Sequence, residues 1–212
     1  MEIWIYTILA GIIWSEIISH FGASILLHRY YCHKQFEVPV WFEIVGLMML
    51  MIAVIRTPIG WIASHRMHHR HSDSSDDPHS AKHVGFWKVL FTIWDIPNIP
   101  PKYAKDLFSN PRLLFCHKHW LKIWIAVWII SFLISPYFFV AFALIPFIFA
   151  KIGFGLLNTI GHSTEGGSNV PWLNIFIAGE GYHRNHHENF RRVRLHKWDT
   201  GGWLAEKLFV KR

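Results

Sequence analysis

The chain has 212 residues, of which 52 % are apolar and only 17 % charged, with a formal net charge of +7. Its mean hydropathy is positive. This balance excludes a disordered chain, and no run interleaves basic with aromatic residues as a nucleic-acid surface would; it fits a membrane protein with a wet face, of one-domain length.

Residues 3–27 are apolar and long enough to cross a bilayer as a helix. No basic region precedes them, so a cleaved signal peptide is not expected. His28 and His33 follow in HRYYCH. Residues 40–55 form a second apolar run, ended by Arg56 and Pro58. HRMHH then carries His65, His68 and His69, inside a polar segment, 64–119, in which DSSDDPH and PNIPPKY are turn-rich. Residues 120–157 are too long for one span and contain Ser135-Pro136. Two helices folded back at that point are predicted, because proline breaks a helix and restrains the residue before it. Asn158 and His162 end this stretch. A second wet segment, 158–212, holds HRNHH, with His183, His186 and His187, and a basic tail.

Nine of the sixteen histidines thus fall in three clusters and a singleton, each beside an apolar segment. Imidazole is a good ligand for iron, zinc or copper, and one metal rarely takes more than six ligands, so nine point to two metals. A zinc hydrolase needs only three protein ligands. Positions i, i+3 and i+4 share a helix face, so H-x-x-H-H sets three imidazoles on one stripe, twice, and Asn158 stands to His162 as i to i+4. His28 and His33, five apart, fall off one face of a regular helix and are expected to straddle a helix end.

A shared site requires all clusters on one membrane face. A hairpin at 120–157 preserves the side; the 40–55 run must then lie along the interface, re-enter, or be buried without crossing. Its sixteen residues are short for a span, and Glu43 sits within it. The hairpin tip and the first two residues carry no Lys or Arg, which places the histidine side in the cytoplasm. The expectation is an all-α membrane protein of one domain, 1–212. It has spans near 3–27, 120–135 and 137–157 and a non-crossing apolar helix near 40–55. A cytoplasmic helical cap, 64–119 and 158–212, holds a di-metal site.

These motifs carry a resemblance. HRMHHRHSDSSDDPHS and GEGYHRNHH resemble the second and third histidine boxes of the membrane fatty acyl desaturases, specifically the acyl-CoA Δ9 (stearoyl-CoA desaturase-like) branch. NTIGH resembles that branch's extra asparagine and histidine, and WDTGGW, more loosely, its tail. The resemblance covers roughly residues 8–205. It implies two iron ions: one held by His28, His33, His65, His69 and His186, the other by His68, His162, His183 and His187, with Asn158 holding a metal-bound water. It implies reductive activation of O2 and removal of two hydrogens from adjacent methylenes of an acyl-CoA or lipid-linked chain, leaving a cis double bond. Electrons would come from a separate donor, a ferredoxin or small haem protein. Members of this branch have two spans before the first box where one fits here, so a wall of the bundle is absent or comes from a second copy in a homo-oligomer. A hydroxylase or ketolase on the same scaffold, or a non-catalytic lipid-binding membrane protein retaining the metal, are the alternatives.

Ligating imidazoles usually donate their second N–H to a carboxylate or carbonyl, and Asp73, Asp76, Asp77 and Glu180 are the candidates near the boxes. His20, four residues after Glu16, is either a packed polar partner of it or a lining residue of the acyl tunnel. His71 and His79 read as surface or supporting groups, and His83, His117, His119 and His196 as surface. Arg66, Arg70, Arg184, Arg191, Arg192 and Arg194 suit either a phosphate-bearing head group or a basic membrane-facing surface. Cys32 and Cys116 form no C-x-x-C pair and are expected to be reduced.

Overall fold

A computed structural model of the chain describes residues 1–53, 55–94 and 98–210. The 40–55 run and PNIPPKY each lie partly outside these residues, as does the end of the basic tail. The described residues are helical, with one isolated bridge between Asn169 and Tyr182. Three helices are long and apolar enough to cross a membrane: α1 (Glu2–Cys32), α6 (Pro111–Ile134) and α7 (Pro136–Ile160). Between the first two lie α2 (Val40–Ile52), α3 (Pro58–His71) and the short α4 (Ala81–Val84) and α5 (Phe86–Leu90). After them come α8 (Asn174–Ile177), α9 (His183–Glu188) and α10 (Thr200–Leu208).

Helix starts follow local chemistry. Proline stands at the first turn of α3, α6 and α7, where its missing N–H costs nothing. Each is preceded by a capping side chain: Thr57 accepts from Gly60 N, Asn110 from Arg112 N and Leu113 N, and Ser135 from Phe138 N. Ser135, extended at φ −170°, is the break between α6 and α7. Trp124 and Trp128 of α6 pack edge-on and tilted against Phe139 and Phe147 of α7, so the two helices fold back on each other. α6 begins nine residues before the expected span because the Asn110-Pro111 cap nucleates it in the polar segment.

The outward faces remain apolar. Ile3, Trp4, Ile8 and Leu9 of α1, and Ile129, Phe132 and Leu133 of α6, are exposed. A soluble chain rarely leaves so large an apolar surface uncovered; with spans of this length, the chain is a membrane protein.

α2 packs along α1. Gly46 sits on Leu26, Gly22 approaches the Gly46 carbonyl and Met49, and Ile52 clusters with Ile18. The end of α2 therefore lies about ten residues of helix down α1 from His28. α3 then returns and brings His65 back beside His28. Both ends of the 40–71 segment sit at the histidine end of α1, the geometry of a re-entrant hairpin. Glu43, buried near the start of α2, accepts from Arg112 Nε at 2.6 Å and from Tyr31 and Asn110, tying α2 to the ends of α1 and α6.

Candidate metal centre

The second half of α1, Ile18–Cys32, is wound with i→i+5 hydrogen bonds, closing with His33 N to the His28 carbonyl at 3.2 Å. This wider winding puts residues five apart on one face. It is why His28 and His33, off-face in a regular helix, bring their Nε2 atoms to 3.1 Å. His33 also caps the helix, so the pair does straddle its end.

In α3, His65 and His69 stand one turn apart and aim Nε2 at the same point, while His68 is turned away from it. α9 repeats the pattern: His183 and His187 share a direction and His186 differs. The result is two sets. In the first, the Nε2 atoms of His28, His33, His65, His69 and His186 form a chain of approaches between 2.8 and 3.2 Å. In the second, His68, His162, His183 and His187 approach between 2.7 and 3.3 Å.

Neighbouring donors on a metal with bonds of about 2.0–2.1 Å at right angles lie about 3 Å apart, so both sets fit one ion each. Hydrogen bonding among imidazoles does not explain five converging nitrogens, because each neutral ring offers one donor and one acceptor. Burial, reinforced by the neighbouring imidazoles, pushes His65, His68, His183 and His186 well below the usual histidine range, and His69 and His187 down to about 2. The neutral ring is the form that ligates.

Carboxylates hold the outer nitrogens. Asp77 Oδ2 accepts from His68 Nδ1 at 2.8 Å, Asp73 Oδ1 lies 3.1 Å from His162 Nδ1, and Glu180 Oε2 lies 2.9 Å from His28 Nδ1. With Nδ1 of His68 and His162 hydrogen-bonded in this way, and that of His28 within ion-pair distance of Glu180, Nε2 is left for a metal. Asp76 is exposed, with its carboxylate 3.9 Å from His71 Nδ1. Burial alone would raise the Glu180 carboxyl, but the Arg29 guanidinium, with His28 and Ser24, brings it down to about 2.

Arg29 is the group the motifs did not single out. It is 1 % exposed and bridges Glu180 to Asp199, itself buried and capping α10 through Gly202 N at 2.7 Å. Its Nε donates to the Val193 carbonyl at 2.9 Å. The available signal was an arginine inside a histidine box at the end of an apolar helix. His79, read as surface or supporting, is buried and stacks on His68 with ring centroids 4.4 Å apart. His71 meets Tyr103 Oη at 3.1 Å.

An apolar cavity runs from Ser15 and Ile18 of α1, past Leu50, Phe149 and Phe154, to the histidines. Asn158, His183 and His68 stand at its wall. Asn158 donates Nδ2 to the Phe154 carbonyl at 2.7 Å, which leaves its oxygen as an acceptor. His20 does not line this cavity; Nδ1 meets the Glu16 carbonyl at 2.7 Å and Nε2 meets Thr200 Oγ1 at 2.8 Å.

The chain is similar in sequence to known proteins. The sn-1 stearoyl-lipid 9-desaturase of Anabaena variabilis is 28 % identical over 207 residues, covering 88 % of this chain and 74 % of that protein. The sn-1 stearoyl-lipid 9-desaturase of a Synechocystis strain is 29 % identical over 204 residues, 88 % of this chain and 63 % of that one. Delta-9 acyl-lipid desaturase 2 of Arabidopsis thaliana is 29 % identical over 215 residues, 91 % and 68 %. The chain therefore spans about two thirds to three quarters of these relatives' length. The family described as fatty acid desaturase matches residues 3–196, a range that takes in every histidine of both sets, and the chain belongs to this family of enzymes that desaturate fatty acyl chains.

Proposed function

We propose that the chain is a di-iron, O2-dependent desaturase that introduces a cis double bond into a lipid-linked acyl chain, with its metal centre facing the cytoplasm. The carrying observation is the junction of two imidazole sets with one apolar cavity. The first iron is assigned to His28, His33, His65, His69 and His186, and the second to His68, His162, His183 and His187. Two irons, when bound, supply the reductive activation of O2 and the abstraction of hydrogen.

The chain's own residues do the rest. The walls of Leu50, Phe149 and Phe154 hold methylenes beside the histidines and exclude water. Asp73, Asp77 and Glu180 fix the orientation of His162, His68 and His28. Asn158, with its oxygen free to accept, holds a water beside the second set. The names of the relatives favour a lipid carrier over coenzyme A. All nine histidines belong to a single domain, with α1, α6 and α7 crossing the membrane and the α2–α3 hairpin dipping in from the cytoplasmic side.

The test is the fatty acid profile of a host expressing the chain. A new cis-monounsaturated species is expected, absent with His186→Ala. A hydroxylated or keto product instead would refute desaturation, and an unchanged profile from iron-loaded protein supplied with a reductant would refute catalysis.

A further inference from the structure

Desaturation removes two hydrogen atoms from the chain and reduces O2 to two waters. That reduction takes four electrons, two from the broken C–H bonds and two from outside, with two protons from solvent. An entry point for the outside electrons is therefore needed close to the histidines. The segment after α9 has the required features. Phe190 is 40 % exposed, yet its ring lies 5.4 Å from that of His33 and 5.6 Å from that of His69, centroid to centroid. It is thus a surface aromatic in contact with two members of the five-histidine set.

Arg191 and Arg192 follow it, both exposed, with no ion pair among the described residues. Lys34 and Arg70 are exposed beside the same two histidines in sequence. Two nearby acids are already engaged: Glu188 by Arg184 at 3.1 Å, and Asp106 by Lys34 and Arg66, each at 2.7 Å. The segment is also held in place. Gln35 donates to the carbonyls of Phe190 at 2.6 Å and Arg192 at 3.3 Å, and Arg29 to that of Val193. It therefore crosses the end of α1, beyond the apolar part of that helix, rather than lying along its lipid-facing side.

We propose that Phe190 and the cations around it, Arg191 and Arg192 foremost, form the docking surface for an acidic one-electron carrier protein, whose electrons reach the five-histidine set at His33 and His69. This rests on the desaturase reading above. A positive rim around an exposed aromatic steers an acidic partner and makes the encounter salt-dependent, as expected for the small, transient interfaces of electron carriers.

The test uses the full iron-loaded chain in neutral-lipid nanodiscs and a plant-type ferredoxin, an acidic one-electron carrier. In Arg191→Glu/Arg192→Glu, the second-order rate of oxidation of reduced ferredoxin at low salt should fall about ten-fold or more, and its salt dependence should flatten. Binding of oxidised ferredoxin, read without turnover, should weaken in parallel. Iron content and total electron uptake from excess dithionite should match the unaltered chain, and Lys82→Glu/Lys88→Glu, with the same charge change elsewhere, should have little effect. Unchanged ferredoxin kinetics in the Arg191/Arg192 variant would overturn the proposal. So would a defect seen only when the discs contain phosphatidylserine, which would assign the arginines to lipid. An unaltered chain that holds iron but takes up no electrons even from dithionite would instead overturn the desaturase reading, and the docking surface with it.

Discussion

At the residue scale, two polar groups four residues apart, Asn158 in the last turn of α7 and His162 just past its end, separate ligation from support. His162 brings Nε2 to 2.7 Å from that of His183, with Asp73 behind it. Asn158 sits a turn earlier, at the cavity wall, with its amide nitrogen already committed to the Phe154 carbonyl. His162→Ala removes one of only four donors from its set. Iron is expected to fall from about two per chain towards one, with activity lost, by elemental analysis and product formation. Asn158→Ala is expected to keep both irons and lose about 10- to 100-fold in turnover, the usual cost of an outer supporting group. Loss of an iron from the asparagine variant would make Asn158 a ligand, and retention of full metal by the alanine at 162 would remove His162 from the set.

At the element scale, the connection between α1 and the C-terminal segment is electrostatic as well as apolar. Arg29 of α1 lies between Glu180, next to the third histidine box, and Asp199, the cap of α10. Ser24 adds a hydroxyl that donates to Glu180 at 2.6 Å, and His20 meets Thr200. Removing one partner of a buried ionic cluster leaves the others desolvated and unopposed, which costs about 3–5 kcal/mol. Arg29→Met should therefore lower the unfolding free energy in detergent by about that amount. Glu180 would be left without its counter-charge, and occupancy of the five-histidine set should drop, since Glu180 is what orients His28. A loss below about 1 kcal/mol, the scale of an exposed pair, would mean that packing alone joins the two elements.

At the scale of the whole molecule, both histidine sets meet at one end of the helix bundle, and the α2–α3 hairpin leaves from and returns to that end. With the bulk of the basic residues on the same side, the chain should cross three times, with its N-terminus outside and the histidines in the cytoplasm. Reporters inserted between Val38 and Pro39 and at Ile62 should read the same, cytoplasmic side, and one at Ser135 the opposite side. Opposite readings at the first two positions would mean that α2 crosses, which no single metal centre accommodates. At thirteen residues, or about 20 Å, α2 is short of the roughly 30 Å hydrocarbon core.

Much of this was legible in the sequence because it depends on near neighbours. Apolar length marks α1, α6 and α7, the proline at 136 marks the break between the last two, and the i, i+3, i+4 spacing puts the box histidines on helices. What required the tertiary structure involved residues remote in sequence or a departure from regular winding. The i→i+5 winding that joins His28 to His33 has no reliable local signature, because it depends on how α1 packs against α2, α3 and α10. Spacing sets all three histidines of each box on one helix face; that the middle one of each serves the other set is a tertiary result. Only the approach of α9 to α3 across 117 residues places His186 with His69. Burial of Arg29 against Asp199, 170 residues away, and of His79 over His68 is likewise set by packing, not by local preference. The sequence by itself determined which side chains were available for metal; the fold decided how they divide into two sets and what holds each set in place, because convergence of nine imidazoles is a property of distances between helices that no local spacing encodes.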